Sequence, residues 1–441
     1  MWLLPLTARL AGIAARAFYR LTVDGGPVPP AGPVLLVANH PNSLVDAVLV
    51  AAAARRPTQF LAKAPLFTDP LVGWLVRASG AIPVYRQADD PALMERNAGM
   101  FRAVHGALAG GAAIAVFPEG VSHSAPSLAP LRTGAARIAL GAAAEGVGAF
   151  PILPVGMVLR DKATFRSDAH VLIGTPVDWA DIAAVPLPDA AAVQELTGRI
   201  DAALRAVTVN LGAWEDAPLV EAAEAVWAAE RRSGDSVPAQ VGRLGVAAEL
   251  LTQLRTGGER RWREIARGLL RHRRSLERLG LVPADLHADL RTRTAVRWSL
   301  HRIHLALAPV GLVALIGAAL WWPPYRAIGA LVDRGRLERD VISTHKLLGG
   351  IAVFAAWLVV LTVVAWTLWG ALAGLAVMVL APAAGAGSLW IWERWESAWR
   401  GARRFVMLRR HPRTLSRLRR RQRELAERLD DLLASTGRPV P

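Results

Sequence analysis

The sequence predicts an α/β domain with a mixed, largely parallel sheet flanked by helices, followed by a helical region and C-terminal transmembrane helices. Short runs rich in β-branched residues alternate with alanine-rich stretches from residue 34 to residue 177. Long uncharged apolar blocks follow after residue 304. The chain is 53% hydrophobic yet carries a formal net charge of +16, which indicates association with anionic lipid.

The N-terminal segment, residues 1–24, is predicted to form a membrane-interfacial helix. Arg9, Arg16 and Arg20 interrupt it at near-helical spacing, so it lacks the uncharged stretch of a signal peptide. Packing of this amphipathic helix on the following domain is an equal alternative. The chain has no cysteine, which excludes disulfides, a thiolate nucleophile and cysteine-ligated metal sites.

The α/β domain is assigned to residues 25–205. Its predicted strands lie in the runs VLLVAN, AIPVYR, AIAVFPEG, FPILPVGMVL and AHVLIGTPV. In an open parallel sheet, chemistry collects beyond the carboxyl ends of the strands. His40, Arg86 and Glu119 occupy that position, so they are the first candidates for a functional site.

Residues 206–300 are predicted to be helical, and residues 301–395 to contain the transmembrane helices. The uncharged run from Leu305 to Trp322 is long enough for one crossing at about 27 Å, with Pro323 and Pro324 ending it. The block from Leu347 to Trp392 is long enough for two crossings. Tryptophans flank these blocks, as expected at a lipid interface; a buried helical bundle is the alternative.

Residues 396–441 are predicted to form an arginine-rich cytoplasmic helical tail facing anionic lipid. Leu418, Leu425 and Leu432 recur every seven residues, so self-association through a short coiled coil is an alternative, and nucleic-acid binding is disfavoured. The expected protein is multi-pass, with the α/β domain facing the cytoplasm. That orientation requires an even number of crossings, whereas three candidates are counted, so one would be re-entrant or interfacial.

Four blocks occur in a fixed order: NHPNSLVD, GAIPVYR, FPEGVSHS with LAPLRTG, and a proline-centred strand. They resemble the phospholipid/glycerol acyltransferase superfamily, and most closely its fungal-type glycerol-3-phosphate/dihydroxyacetone-phosphate acyltransferases and their bacterial relatives. The resemblance implies a glycerolipid acyltransferase fold. Five residues separate His40 from Asp46, where the wider superfamily has four. The arginine expected in the turn after Glu119 is absent.

The resemblance implies that His40 is the catalytic base and Asp46 its partner. Neutral imidazole suits the deprotonation of a hydroxyl group, and a carboxylate fixes its tautomer. The alternative is a hydrogen-bonded loop histidine, with Ser43 and Asp46 forming a helix capping box. The residues implied to bind the phosphate or the acceptor are Arg86, Glu119, Gly120, Ser122, His123 and Arg132.

No metal site is expected, because His301 and His304 have no obvious third ligand. No cofactor is expected either. The implied activity is transfer of a fatty acyl group from acyl-CoA or acyl-carrier protein to glycerol 3-phosphate, glycerone phosphate or lysophosphatidate. The sequence does not choose among these donors and acceptors. Two rivals remain: a non-catalytic membrane adaptor on the same scaffold, and a lipid hydrolase, which the absence of a Gly-x-Ser-x-Gly elbow at Gly120 disfavours.

Overall fold

The computed structural model describes residues 4–70, 72–86, 95–183, 189–233, 236–256, 260–288, 308–335 and 341–435. The chain divides into two compact units. The sheet unit comprises Met1–Trp214, Asp235–Ala248 and Glu338–Thr344. The helical unit comprises Glu215–Gly234, Glu249–Leu337 and His345–Pro441. His301 and His304 lie outside the described residues.

The sheet unit is built on a seven-stranded sheet of order β1-β7-β6-β2-β5-β3-β4. All neighbouring strands are parallel except β6 and β7, which confirms the predicted mixed, largely parallel sheet. The two strands that the sequence analysis missed are β1 and β3. The strands are β1 (Arg20–Gly25), β2 (Val34–Ala38), β3 (Thr58–Lys63), β4 (Ile82–Val84), β5 (Ala113–Val116), β6 (Ile152–Leu159) and β7 (Asp168–Ile173).

Helices cover the sheet and bury its central strand, β2, at every position. Leu35 of β2 shares one apolar cluster with residues of three helices, Leu108, Ile138 and Leu204. Burial on both faces explains the continuous apolar run in β2. The helices of this unit are α1 (Thr7–Phe18), α2 (Leu44–Ala54), α3 (Gly73–Ala78), α4 (Asn97–Ala109), α5 (Gly134–Ala142), α6 (Ala180–Ala183) and α7 (Ala190–Ala206).

Helix α1 packs on the α/β domain, as one of the two alternatives for the N-terminus predicts, and its contact with a membrane surface stays a prediction. It packs against α2 and buries Ala15 and Phe18, while Leu10 and Ile13 stay exposed on its other side. The predicted extent of the helix is wrong, because the chain turns into β1 at Arg20. The residues of β1 pair in parallel with β7, and this pairing takes priority over continuation of the helix.

The helical unit contains α8 (Ala217–Arg231), part of α9 (Val237–Thr256), α10 (Arg260–Leu279) and a C-terminal helix, which we number α14 (Pro412–Ser435). Leu418, Leu425 and Leu432 of α14 are buried within the chain. The Trp227 indole donates a 2.8 Å hydrogen bond to Asp430 and fixes α14 against α8. The heptad leucines therefore form an internal interface, and coiled-coil self-association through them stays a prediction.

Three long helices, α11 (Ala308–Arg334), α12 (Ile342–Trp369) and α13 (Ala371–Arg410), contain the apolar blocks. Among the described helices, α12 and α13 are long and apolar enough to cross a membrane. Only 6% and 17% of their most apolar windows is buried, which is unlike the core helix of a soluble protein. Membrane association is therefore indicated, and two crossings satisfy the even number that the predicted orientation requires.

The prediction that Pro323 and Pro324 end the first apolar block is wrong, since α11 continues through both prolines to Arg334. Pro324 lacks the N–H that would bond the carbonyl of Leu320 one turn earlier. The indole of Trp357 on α12 donates a 2.9 Å hydrogen bond to that carbonyl. This bond satisfies the backbone group that the proline leaves without its helical partner, so the helix tolerates the break.

Candidate functional site

The carboxyl ends of β2 to β6 meet at one edge of the sheet, because these five strands are mutually parallel in their pairings. His40 follows β2 by two residues, Arg86 follows β4 by two, and Glu119 follows β5 by three. The sequence analysis selected these three residues for that position. The structure brings them to the same edge.

His40 and Asp46 form a direct pair. The Nδ1 atom of His40 lies 2.8 Å from Oδ2 of Asp46. Because that carboxylate oxygen accepts the Nδ1 proton, the Nε2 atom of the neutral ring carries the lone pair. Nε2 makes no hydrogen bond with any residue that the structure describes, and the His40 side chain is 19% exposed. The ring can therefore accept a proton from an incoming group.

Asp46 is fully buried in the first turn of α2. Burial raises the pKa of its carboxyl group, and the hydrogen bond to His40 opposes that shift. Oδ2 also accepts the backbone N–H of Asn42 at 2.6 Å. The capping box considered for Ser43 does not form: Ser43 has φ 53° and no side-chain capping bond, since the Asp46 carboxylate bonds the loop preceding it.

Glu119 joins the turn after β5 to the His40 loop. Its Oε1 accepts the backbone N–H of His40 at 2.7 Å, and its Oε2 accepts the backbone N–H of Ala129 at 2.8 Å. The ring Nε2 of His123 binds the same Oε2. The Glu119 side chain is only 1% exposed, so within the structure its carboxylate acts as a brace between loops.

Ser122 and His123 also bond protein groups. The Ser122 Oγ accepts the backbone N–H of Ser43 at 2.9 Å, and the backbone N–H of His123 donates to the carbonyl of His40 at 3.1 Å. The Nδ1 of His123 accepts the backbone N–H of Ala125. Both ring nitrogens of His123 are thus engaged. Its predicted contact with substrate stays a prediction.

Arg86 and Arg132 flank the turn at Gly120. Arg86 donates a 2.9 Å hydrogen bond from Nη1 to the Gly120 carbonyl. Gly120 has φ 76°, and a Cβ built there would lie 3.4 Å from Cγ of Arg132. The Arg132 guanidinium is exposed and makes no hydrogen bond or ion pair with the residues that the structure describes. Two cations therefore lie beside one turn, an arrangement suited to an anion.

Two residues at the site, Phe117 and Lys162, were missed by the sequence analysis. The ring of Phe117 stacks on His40, with centroids 4.1 Å apart and planes 10° from parallel. Lys162, three residues beyond β6, donates to the carbonyl of Pro41 at 2.6 Å and to Ser124 Oγ at 2.8 Å. The strand-end rule that selected His40 applies equally to the loop after β6. That signal could have identified Lys162.

No group of three histidine, aspartate or glutamate side chains that could hold a metal ion occurs among the described residues. The site as described consists of an imidazole, its buried carboxylate and neighbouring cations. Such a set can deprotonate a hydroxyl group next to a bound anion.

Part of the chain is similar to known proteins. Residues 20–158 match the family model described as Acyltransferase. A lyso-ornithine lipid O-acyltransferase of Pseudomonas aeruginosa is 33% identical over 143 residues, which are 32% of this chain and 50% of that protein. Glycerol-3-phosphate O-acyltransferase 2 of Saccharomyces cerevisiae is 40% identical over 65 residues, which are 14% of this chain and 9% of that protein.

A 1-acyl-sn-glycerol-3-phosphate acyltransferase of Chlamydomonas reinhardtii is 30% identical over 143 residues, covering 32% of this chain and 40% of the relative. The chain thus spans half or less of the length of the curated relatives it matches. Among solved structures, the 1-acyl-sn-glycerophosphate acyltransferase PlsC of Thermotoga maritima aligns with a TM-score of 0.33 and 20% identity, over 46% of this chain and 78% of that one.

Proposed function

We propose that the protein is a membrane-bound O-acyltransferase, because residues 20–158 match the Acyltransferase family model and parts of the chain are similar to lipid O-acyltransferases. It transfers a fatty acyl group from a thioester donor, acyl-CoA or acyl-carrier protein, to a hydroxyl group of glycerol 3-phosphate, glycerone phosphate or lysophosphatidate. The donor is a substrate, and no cofactor is part of the proposal. The observation that carries the proposal is the His40–Asp46 pair, whose Nε2 atom forms no hydrogen bond with the described residues.

In this mechanism Nε2 of His40 takes the proton of the acceptor hydroxyl while its oxygen attacks the thioester carbonyl. The new C–O bond forms, the C–S bond breaks, and the imidazolium returns the proton to the departing thiolate. Asp46 stabilises the imidazolium through Nδ1. A positioned base of this kind contributes about 10²–10⁴-fold to the rate.

The phosphate of the acceptor is assigned to the cations beside Gly120. Arg132, whose guanidinium has no partner among the described residues, supplies a free charged donor, and Arg86 holds the turn through the Gly120 carbonyl. Glu119, Ser122 and His123 shape the acceptor site by fixing the two loops. The relative named for lyso-ornithine lipid makes a phosphate-free acceptor worth including in the test.

The test is an assay of the purified full chain in lipid nanodiscs, with acyl-CoA and acyl-carrier protein as donors. The acceptors are glycerol 3-phosphate, glycerone phosphate, lysophosphatidate and lyso-ornithine lipid. We expect His40→Ala to lower kcat by about 10²–10⁴-fold, and His411→Ala, at an exposed residue, to leave it unchanged. Arg132→Ala should raise KM for the phosphate acceptors only.

Wild-type turnover by His40→Ala would contradict the mechanism. Absence of transfer from the wild-type chain with every pair of substrates would instead favour the adaptor, whose cellular role should then depend on the arginines of α14.

A further inference from the structure

We infer that Lys162 is a positioning residue for the His40–Asp46 pair: its ammonium group holds the His40 loop in place and keeps a positive charge beside the buried carboxylate. The inference deepens the proposed function, on which its catalytic part rests. It is carried by the contacts of one residue with four separate segments of the sheet unit, at Pro41, Ser124, Tyr19 and Ser343.

The ammonium group of Lys162 connects the two loops of the site. It donates one hydrogen bond of 2.6 Å to the carbonyl of Pro41, the residue next to His40, and a second of 2.8 Å to the Oγ of Ser124. Pro41 has no N–H, so the backbone of this residue can be held by a hydrogen bond only through its carbonyl. Lys162 supplies that bond and thereby anchors the loop between His40 and Asn42.

The backbone of Lys162 is itself fixed. Its carbonyl accepts the hydroxyl of Tyr19 at 2.5 Å and also the hydroxyl of Ser343, in the first turn of α12. Tyr19 accepts in turn from the Asn42 side chain at 3.0 Å. Burial raises the pKa of Tyr19 to about 12, so this hydroxyl stays protonated and remains a donor.

The charge of Lys162 matters because Asp46 is incompletely satisfied. Asp46 Oδ1 is buried and has no hydrogen-bond partner in the part of the chain that the structure describes. Burial raises the pKa of this carboxyl group. The hydrogen bond with His40 opposes that shift most, and the positive charge of Lys162 opposes it as well. Among the residues that the structure describes, the charged and titratable groups that act on Asp46 are His40 and Lys162. The charges of Asp46 and Asp161 act on the nearby Tyr19, and Glu119 accepts the backbone N–H of His40.

The sign of the effect follows from this arrangement. The proposed catalysis requires a neutral His40 ring and an ionised Asp46 carboxylate. Removing a neighbouring positive charge makes it easier to add a proton to the pair. The acid limb of the activity profile should therefore move to higher pH when Lys162 loses its charge.

The experiment compares Lys162→Met, Lys162→Arg and Ser124→Ala with Arg160→Met, a matched loss of charge from the same loop at a side chain that is 78% exposed. We expect Lys162→Met to lower kcat/KM at least 10-fold at neutral pH. Its acid limb should move up by about one pH unit, a typical effect of a nearby charge. Lys162→Arg and Ser124→Ala should lower kcat without moving the limb, and Arg160→Met should do neither.

A second measurement does not need enzyme activity. The rate at which diethyl pyrocarbonate modifies His40, followed by mass spectrometry across pH, reports the titration midpoint of the imidazole. The midpoint should be higher in Lys162→Met than in the wild type and Arg160→Met. This measurement tests the inference even if the wild-type chain transfers no acyl group, in which case only the proposed function fails.

Two results would overturn the inference. An unmoved acid limb and unmoved modification midpoint in Lys162→Met would leave Lys162 with a purely structural role. Complete loss of turnover in Ser124→Ala, together with an acyl group recovered on Ser124 of the wild type, would instead indicate a Ser–Lys nucleophile. Circular dichroism melts of each variant identify any that fail to fold.

Discussion

The carboxyl group of Asp46 raises the free energy of the folded chain at neutral pH. Its pKa in the folded state lies above its ordinary value because burial disfavours the charged form. The contribution of this group to stability is therefore fully present below the pKa of the unfolded chain and is lost as pH rises through the folded pKa. An ionised carboxylate beside His40 therefore lowers the stability of the folded chain at neutral pH.

The substitution Asp46→Asn separates the two effects. We expect kcat to fall by about 10²–10⁴-fold, because the imidazolium loses its counter-charge, while the melting temperature stays equal or rises. The neutral amide avoids the cost of burying a charge. Acyl-transfer rates and thermal melts near pH 7 measure the two quantities.

The control is Asp168→Asn, at the β1–β7 edge. Hydrogen bonding from Arg20 lowers the pKa of Asp168, so this carboxylate stabilises the fold when ionised, and its loss should lower the melting temperature without lowering kcat. If Asp46→Asn kept full activity, the assigned role of the carboxylate would be wrong.

Helix α11, which contains the proline pair, is held by contacts with α12 and α13. Trp357 of α12 donates to the Leu320 carbonyl, and the ring of Trp321 stacks on Phe354 at 5.4 Å. Gly317 lies so close to α13 that a Cβ there would meet the Ala384 carbonyl at 2.3 Å. Small residues and interhelical hydrogen bonds are the usual means of association between apolar helices, where the hydrophobic effect is weak.

We therefore predict that Trp357→Phe destabilises the three-helix arrangement by about 1 kcal/mol, the typical worth of one interhelical hydrogen bond. The aromatic ring is retained, so the loss reports the N–H group. Thermal stability in detergent measures it. The matched control is Trp369→Phe on the same helix, at an indole that is 72% exposed; a similar loss there would attribute the effect to the ring.

Sequence reasoning located the elements whose pattern is local. All five predicted strands are present, because a run such as VLLVAN is buried on both faces and reads as continuous apolar sequence. It missed β1 and β3. β1 contains Arg20 and Asp24, and its strand identity comes from pairing with β7, which is distant in sequence.

Within the site, sequence reasoning predicted the pairing of His40 with Asp46, and the roles of the other site residues stay predictions. His40 and Asp46 form the expected pair. The capping box was a plausible local alternative, but its carboxylate is bonded by His40 and Asn42. The brace formed by Glu119 could not be read from the sequence, since its partners come from loops after two different strands.

At the scale of the whole molecule, the sidedness of the chain is a prediction that depends on the number of crossings. If α12 and α13 are the two crossings, we predict that the α/β domain and α14 face the same side of the membrane and that Gly370 faces the other. The positive-inside rule places the arginine-rich α14 in the cytoplasm. This orientation is a prediction that the absence of cysteine makes easy to test.

Single cysteines can be introduced at Ser124, Ser416 and Gly370 and labelled in right-side-out vesicles with a membrane-impermeant maleimide. We expect labelling of Gly370→Cys only, and of the other two after the vesicles are opened. Labelling of Ser416→Cys and Ser124→Cys on opposite sides would require an odd number of crossings.

A single residue, Gly370 with φ 89°, joins α12 to α13. A joint this short leaves no hydrophilic loop to be carried through the bilayer, and no charged residue lies between Leu347 and Trp392. The two helices can therefore enter the lipid together as one hairpin, without a translocated segment. Membrane insertion should then tolerate few added residues at Gly370, since each added lysine or aspartate would have to cross the hydrocarbon core of the bilayer.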